Sequence, residues 1–239
     1  MLKNQFKVLK SSALLFLCTM PAIAEASAID DSQVTFEGRL AKHSRYIAEG
    51  RDNVDGKDLY SLEAFAHWQS LTATLWYGQG SHDPYQELKV GLEYGFDWAG
   101  TEFTVGYTRL TFLGSNENDN EFSVGVVFED IFSIVPSVDY VYATEASGAF
   151  VELSLRSIFE FKEQGISIEP YVTEGFDLGF ATQKHDGPNN LQLGVDITYQ
   201  LSGSTAIFAN INQSWAQKDV QREGLGDQFW LSLGFSIAI

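Results

Sequence analysis

The sequence is short of thiols, histidines and basic side chains. Cys18 is its one cysteine, and five prolines and two methionines are spread over 239 residues. Cys18 falls in a segment read below as a removable leader. The mature chain is therefore expected to have no thiol, which excludes a disulfide framework and a thiolate metal site. The four histidines, His43, His67, His82 and His185, stand apart without zinc-ligand spacing, so no metal and no cofactor is expected. Fifteen Lys and Arg face 32 Asp and Glu, a formal net charge of −17. So acidic a chain is unsuited to nucleic acid. Long apolar runs are missing too: the stretch at 12–23 is well short of the ~20 residues a spanning helix needs. Yet 44% of residues are hydrophobic and 14% aromatic, and that apolar content needs a place to go.

The first residues account for little of it. Lys3, Lys7 and Lys10 precede the apolar stretch around Leu14-Leu15-Phe16-Leu17, and small-residue sites follow at Ala22-Ile23-Ala24, Ala24-Glu25-Ala26 and Ala26-Ser27-Ala28. That order reads as a secretory signal peptide over 1–24, with cleavage possible up to 28, followed by a single domain over 29–239. Leu17, rather than a small residue, precedes Cys18, which argues against a lipoprotein. Cleavage after Ala24 leaves 12 bases against 32 acids.

From residue 34 onward the dominant period is two. Leu88, Val90, Leu92, Tyr94 and Phe96 share one face of a strand whose other face carries Glu87, Lys89, Gly91, Glu93 and Gly95. The same holds for Leu191, Leu193, Val195, Ile197 and Tyr199 over 190–201. At the chain end it holds for Phe229, Leu231, Leu233, Phe235, Ile237 and Ile239. A helix would scatter these sets around its circumference. About twelve strands are expected, near 34–47, 59–68, 71–79, 85–96, 101–112, 120–128, 134–143, 149–160, 166–175, 190–201, 204–214 and 227–239. Each is close to the ~9–11 residues of a tilted transmembrane strand.

The links sort by length. Those at 69–70, 97–100, 129–133, 161–165 and 202–203 are tight; those at 48–58, 80–84, 113–119, 176–189 and 215–226 are longer and polar, and 144–148 is a short exception. Tight turns on one side and long loops on the other are the habit of outer-membrane barrels. The fold class expected is all-β, an antiparallel transmembrane β-barrel of about 12 strands in the bacterial outer membrane. Both termini then face the periplasm, and acidic loops such as 116–119 face outside. Tyr60 and Trp68, on one face at opposite ends of a strand, fit the two aromatic girdles. A soluble β-sandwich is the competing fold. Export, a polar inward set rich in Gly, Ser, Thr and acids, and an apolar alternation running back from Ile239 favour the barrel. The terminal pattern resembles the recognition signal for envelope barrel-assembly machinery, although Ile replaces the usual terminal Phe or Trp.

The inward phase supplies the candidate pore-lining residues: Glu63, His67, Glu87, Lys89, Glu93, Glu102, Glu121, Asp139, Glu152, Arg156, Glu169 and Asp196. Acids outnumber bases nine to two, and carboxylates lining a wet pore favour cations. Inward Gly91, Gly95, Gly106, Gly125, Gly194 and Gly234 are expected to admit bending and close approach of neighbouring side chains. Inward Phe65, Trp76, Phe150 and Trp230 could fill a narrow lumen. Catalysis is not expected. His67 faces inward with no matched Ser, and His82-Asp83 and His185-Asp186 read as polar turn residues. The segments 53–56 and 186–190 also read as turns, not calcium loops.

One resemblance adds to this. Ser44-Arg45-Tyr46-Ile47-Ala48-Glu49-Gly50, a polar loop, Leu59 to Ala66 and Leu71-Thr72-Ala73-Thr74-Leu75-Trp76 resemble the opening of TorF-type putative porins. Glu49 stands where that family usually has Arg. The resemblance implies a leader, a barrel of about a dozen strands and a channel role without catalytic residues. The expected partners are outer-membrane lipid and lipopolysaccharide, the assembly machinery, and small solutes or cations; the sequence sets no oligomeric state. A passive cation-leaning channel, a filled barrel acting through its loops, and a membrane hydrolase are the three functions weighed.

Overall fold

The computed structural model describes residues 33–81, 85–115 and 117–239. The leader, Cys18, His82, Asp83 and Asn116 lie outside the described residues. Among these, twelve antiparallel strands form the wall: β1 (Thr35–His43), β4 (Leu59–Trp68), β5 (Leu71–Gly80), β6 (Gln86–Trp98), β7 (Thr101–Phe112), β8 (Glu117–Val127), β9 (Val135–Ala143), β10 (Gly148–Arg156), β12 (Ile166–Leu178), β13 (Gly187–Ser202), β14 (Thr205–Ala216) and β15 (Gln228–Ala238). Two two-residue strands, β2 (Ile47–Ala48) and β3 (Arg51–Asp52), form a separate hairpin, and β11 (Phe159–Phe161) extends the edge of β12. A short helix, α1 (Lys218–Arg222), lies in the β14–β15 link.

Each wall strand pairs with the next, β10 with β12 included, and the pairing of β1 with β15 closes the ring. At the seam Phe36 and Ile239 exchange both backbone bonds, at 3.0 and 2.8 Å. Closure removes the sheet edges that would strand backbone donors in lipid. The alternation is observed as expected. Every wall strand turns apolar side chains outward, and Leu92, Leu233 and Phe229 are about half exposed or more, at 53%, 61% and 52%. An apolar surface of that extent belongs in a bilayer rather than in water.

The strand limits differ in places. The strand expected over 34–47 ends at His43, because the chain then turns into the lumen instead of rising further. The strand expected over 149–160 ends at Arg156, and residues 159–161 pair with β12 alone. The loop expected over 176–189 shrinks to 179–186, since β12 and β13 continue above the wall. The tight turns are real: Ala99 and Gly100 both take positive φ, 53° and 80°, the pair of left-handed residues a two-residue hairpin needs. The segment at 53–56 is a turn in which the Asp52 carboxylate accepts from the Val54 and Gly56 amides.

Four inward glycines share one use. Gly234 lies under the Phe208 ring, Gly194 under Tyr171, Gly78 under Trp76 and Gly175 against Phe150; a Cβ at any of them would collide with the ring. Aromatic side chains from neighbouring positions lie across the bare backbone, which packs a narrow barrel without widening it.

Candidate functional site in the lumen and outer mouth

All twelve candidate residues sit on the inward phase of their strands. They divide into a paired set and an unpaired set. Glu87, fully buried, accepts from the Tyr46 hydroxyl at 3.1 Å and from the Tyr85 hydroxyl, and lies 3.4 Å from Lys89. Lys89 Nζ donates to the Tyr46 oxygen at 2.9 Å and sits 4.5 Å over the Trp76 ring, on which Tyr46 stacks at 5.5 Å. Burial, and then the Glu87 charge, push the Tyr46 and Tyr85 phenols well above their ordinary range. Both therefore stay neutral donors.

Lower in the barrel, Arg156 pairs with Glu169 at 3.4 Å, Ser167 donates to Glu169 at 3.3 Å, and Asn210 donates to Asp196 at 2.6 Å. Glu63 lies 3.9 Å from Arg39, which also binds Glu37 and covers the Phe65 ring at 5.0 Å. His67 bonds Thr72 at 3.1 Å. Glu121 is 2% exposed and directly opposite Thr108.

Four carboxylates remain. Glu93, Glu102, Asp139 and Glu152 form no hydrogen bond and no ion pair with any described residue. They share the β6–β10 side of the wall, where Asp139 is directly opposite Glu152 and Glu93 is opposite Gly106. Gly91, Gly95, Gly106 and Gly125 stand on the inward phase of the same strands, and the Thr108 and Ser123 hydroxyls lie close to Gly91 and Gly106. Arg156 attracts Asp139 at longer range but is committed to Glu169.

The outer mouth is built differently. Residues 44–58 fold inward, and the β2–β3 hairpin turns at Glu49 and Gly50, both left-handed at φ 46° and 70°. Gly50 is required twice over, by that φ and because a Cβ would sit 3.1 Å from Asn190. The hairpin delivers Arg51, 1% exposed, into a cluster of acceptors. Its guanidinium binds Asp219 at 2.8 Å, Glu223 at 3.0 Å, Asn189 Oδ1 at 2.7 Å and the Glu49 carbonyl at 2.7 Å, with Asp177 at 3.8 Å. Burial works against the Arg51 charge, but Glu223, Asp219 and Glu49 outweigh it and raise its pKa.

Asp177 in turn accepts from the amides of Phe180, Ala181 and Thr182 at 2.6, 3.2 and 3.1 Å, folding the 179–186 link inward. Phe180 packs on Phe150, ring centres 5.9 Å apart, in an apolar cluster with Val141, Ala143 and Ala146. Val54 and Val220 are fully buried, and Val220 lies against Gly50. Three links from separate parts of the chain thus meet around one side chain.

Several loop expectations are corrected by this. His185, expected to be a polar turn residue, pairs with Asp219 of α1, and the carbonyl of Asp186 lies 3.4 Å from Arg222. Asp119, expected in a solvated acidic loop, is 5% exposed and accepts from the Glu145 amide at 2.9 Å, tying down the short 144–148 link. Arg51, Tyr46 and Arg39 were not among the candidates. Arg39 shares the inward phase of β1 with Glu37 and was legible by the same alternation. Arg51 and Tyr46 lie where no alternation exists.

The histidines include one Ser–His arrangement. His43 bridges Ser232 at 2.8 Å and Ser61 at 2.9 Å. Both serines are at least nine-tenths buried, so the trio stitches β1 to its two neighbours and presents no hydroxyl to a substrate.

No family model and no curated protein matches the sequence; the TorF-type resemblance therefore has no support beyond its residues. Solved structures do match, at low identity. The KdgM porin in complex with disordered oligogalacturonate is 8% identical, with TM-score 0.58 over 85% of this chain and 98% of that one. The NanC porin is 9% identical, with TM-score 0.57 over 84% and 98%. LpxR from Salmonella typhimurium is 8% identical, with TM-score 0.55 over 84% and 99%. The likeness is one of fold. The chain is a closed twelve-stranded outer-membrane β-barrel with a lipid-facing belt. A fold shared at such low identity does not choose a function, so function must be argued from the lumen.

Proposed function

We propose that this protein is a narrow outer-membrane channel for passive diffusion of small solutes, leaning toward cations, with an outer mouth held by Arg51. One observation carries the reading. Every base identified in the lumen (Arg39, Lys89, Arg156) is bound to a carboxylate, while Glu93, Glu102, Asp139 and Glu152 are left without a bonded partner. The field met by a permeating solute is then that of the unpaired acids, which lowers the barrier for cations and raises it for anions. The KdgM porin is known in complex with disordered oligogalacturonate, a carboxylate-bearing sugar chain; the unpaired charge here has the sign to repel such a solute. A leader over 1–24, assembly through the apolar terminal strand and lipopolysaccharide around the outer rim belong to the same proposal.

The packed mouth favours a second reading, a filled barrel acting through its loops. Planar-bilayer recordings in a KCl gradient separate the two. The channel reading expects ohmic steps with a cation-selective reversal potential, reduced toward zero when all four acids become Gln or Asn. Silence in both the wild type and Arg51→Ala supports the filled barrel. Anion selectivity overturns the proposed sign.

A further inference from the structure

The inner rim of the barrel is uneven. Where β4 meets β5 and β13 meets β14, the turn residues themselves are polar, Gln69-Ser70 and Gly203-Ser204, and the flanking Trp68 and Leu201 are 46% and 50% exposed. Across the barrel, between β6 and β12, the turns carry Trp98, Ile131, Phe132, Ile134, Phe159 and Phe161, and Trp98 and Phe132 are 71% and 96% exposed. We propose that these turns form an anchoring surface that enters the interface of the inner leaflet, with Phe132 at its tip, seating one side of the barrel deeper in the membrane than the other. The inference rests on the membrane location of the barrel and not on conduction.

The β8–β9 turn shows an outlier. Ile131 and Ile134 exchange both backbone bonds at 2.8 and 3.1 Å, closing a two-residue turn around Phe132 and Ser133. Both turn residues are left-handed, φ 56° and 66°. Asn and Gly are the residues such a turn prefers, and a bulky side chain there is disfavoured. Phe132 is held in this conformation while touching almost nothing of its own chain, so no internal packing offsets the strain. Strain of this kind points to a use for the side chain.

The surface is continuous with the lipid-facing belt. Phe128 and Ile134 stand at the feet of β8 and β9 on the outward phase, 42% and 41% exposed. The neighbouring turns touch: a Cβ on Gly100 would collide with the Glu129 carboxylate, so the Trp98 turn and the Phe132 turn lie side by side. The height of the belt agrees. Asn120 marks its upper edge on β8, outward and bonded to Arg109 and Tyr107 at 2.9 Å each. Phe122, Val124, Val126 and Phe128 follow on the same face. Eight residues of strand tilted by ~40° descend ~20 Å, short of the ~25 Å apolar band of such barrels. The Ile131–Ile134 turn supplies the remainder.

The test places a fluorophore at the tip. Phe132→Cys, in a Cys18→Ser background and labelled with an environment-sensitive dye, is refolded into phosphatidylcholine vesicles; Gln69→Cys is the control on the polar side. Nitroxide carried high on the lipid acyl chain is expected to quench position 132 several-fold more than aqueous iodide does, with the order reversed at 69. Trp98→Cys gives a second reporter if the first variant does not fold, with the same expectation. Iodide quenching at 132 and 98 equal to that at 69 overturns the proposal. So does a disulfide-linked dimer formed by unlabelled Phe132→Cys in place of lipid contact, which assigns the surface to a second copy of the chain.

Discussion

The outer mouth and the β6–β10 side of the lumen handle buried charge in opposite ways. At the mouth each ion is bonded several times: Arg51 has three carboxylates and two carbonyl oxygens, and Glu87 has two phenols and a lysine. On the β6–β10 side four carboxylates face the lumen with no bonded partner among the described residues, although the lower lumen also holds the bonded pairs Arg156–Glu169 and Arg39–Glu37. Satisfied polar networks fix one arrangement, whereas unsatisfied charge in a dry interior is costly. On the proposed channel reading, the contrast corresponds to a mouth that is held and a lower lumen that is wet. Perturbing each region in turn should therefore give different kinds of effect.

The largest effect is expected at Arg51. Arg51→Ala removes the common partner of Asp177, Asp219 and Glu223, and stranding buried charges of this sort costs about 3–5 kcal/mol. The wall, closed by its own backbone bonds, should survive. Only the mouth should open, raising single-channel conductance several-fold and exposing residues 44–58 to protease. Unchanged conductance and proteolysis would show that the latch holds nothing. Asp219→Asn should do the same more weakly, because Glu223 and Asn189 still bind the guanidinium.

Next comes the β6–β10 side. Replacing Glu93, Glu102, Asp139 and Glu152 together by Gln or Asn should bring the permeability ratio of K⁺ to Cl⁻ close to one, while thermal unfolding in micelles stays put or rises. A structural role would show the reverse, with lost stability and retained selectivity. Gly194→Ala tests the wall. Its Cβ would meet the Tyr171 ring and Asn212, and overpacking of that order costs about 1–3 kcal/mol. The midpoint of denaturant unfolding should fall, with selectivity unchanged.

The two regions were not equally legible in the sequence. Alternation gave the wall, its phase and all twelve inward candidates, because a period of two survives wherever lipid lies on one side and water on the other. The glycines followed, since each stands on the inward phase. The latch did not. Arg51 and Tyr46 lie in links whose strands are two residues long, too short for any period. The pairing of His185 with Asp219 spans 34 residues, and no spacing rule predicts it. Local chemistry reads His185 and Asp186 only as polar turn residues. Loop acids read as solvated because composition cannot say which loop folds inward, and Asp119 and Asp219 are both buried.

An effect comparable in size to that of Gly194→Ala is expected at Tyr46, which stacks on Trp76 and bonds Glu87. Tyr46→Phe keeps the ring and removes one hydroxyl that donates to Glu87 and accepts from Lys89. The loss should be about 1.5–3 kcal/mol, as for a hydrogen bond to a charged group. It should also carry a pH signature. Burial and Glu87 raise the phenol pKa in the folded state above the value of about 10 of an unfolded tyrosine. The folded state then holds its proton more tightly than the unfolded one. The associated stability is fully present below pH ~10 and is lost as pH rises through the folded pKa. Protease accessibility of residues 44–58 should therefore rise above pH ~10 in the wild type. In Tyr46→Phe combined with Tyr85→Phe, which has the same shift for the same reason, that rise should be flattened. A rise of equal size in the double variant would place the alkaline opening elsewhere, and Lys89, whose charge neutralises Glu87, would be the next group to test.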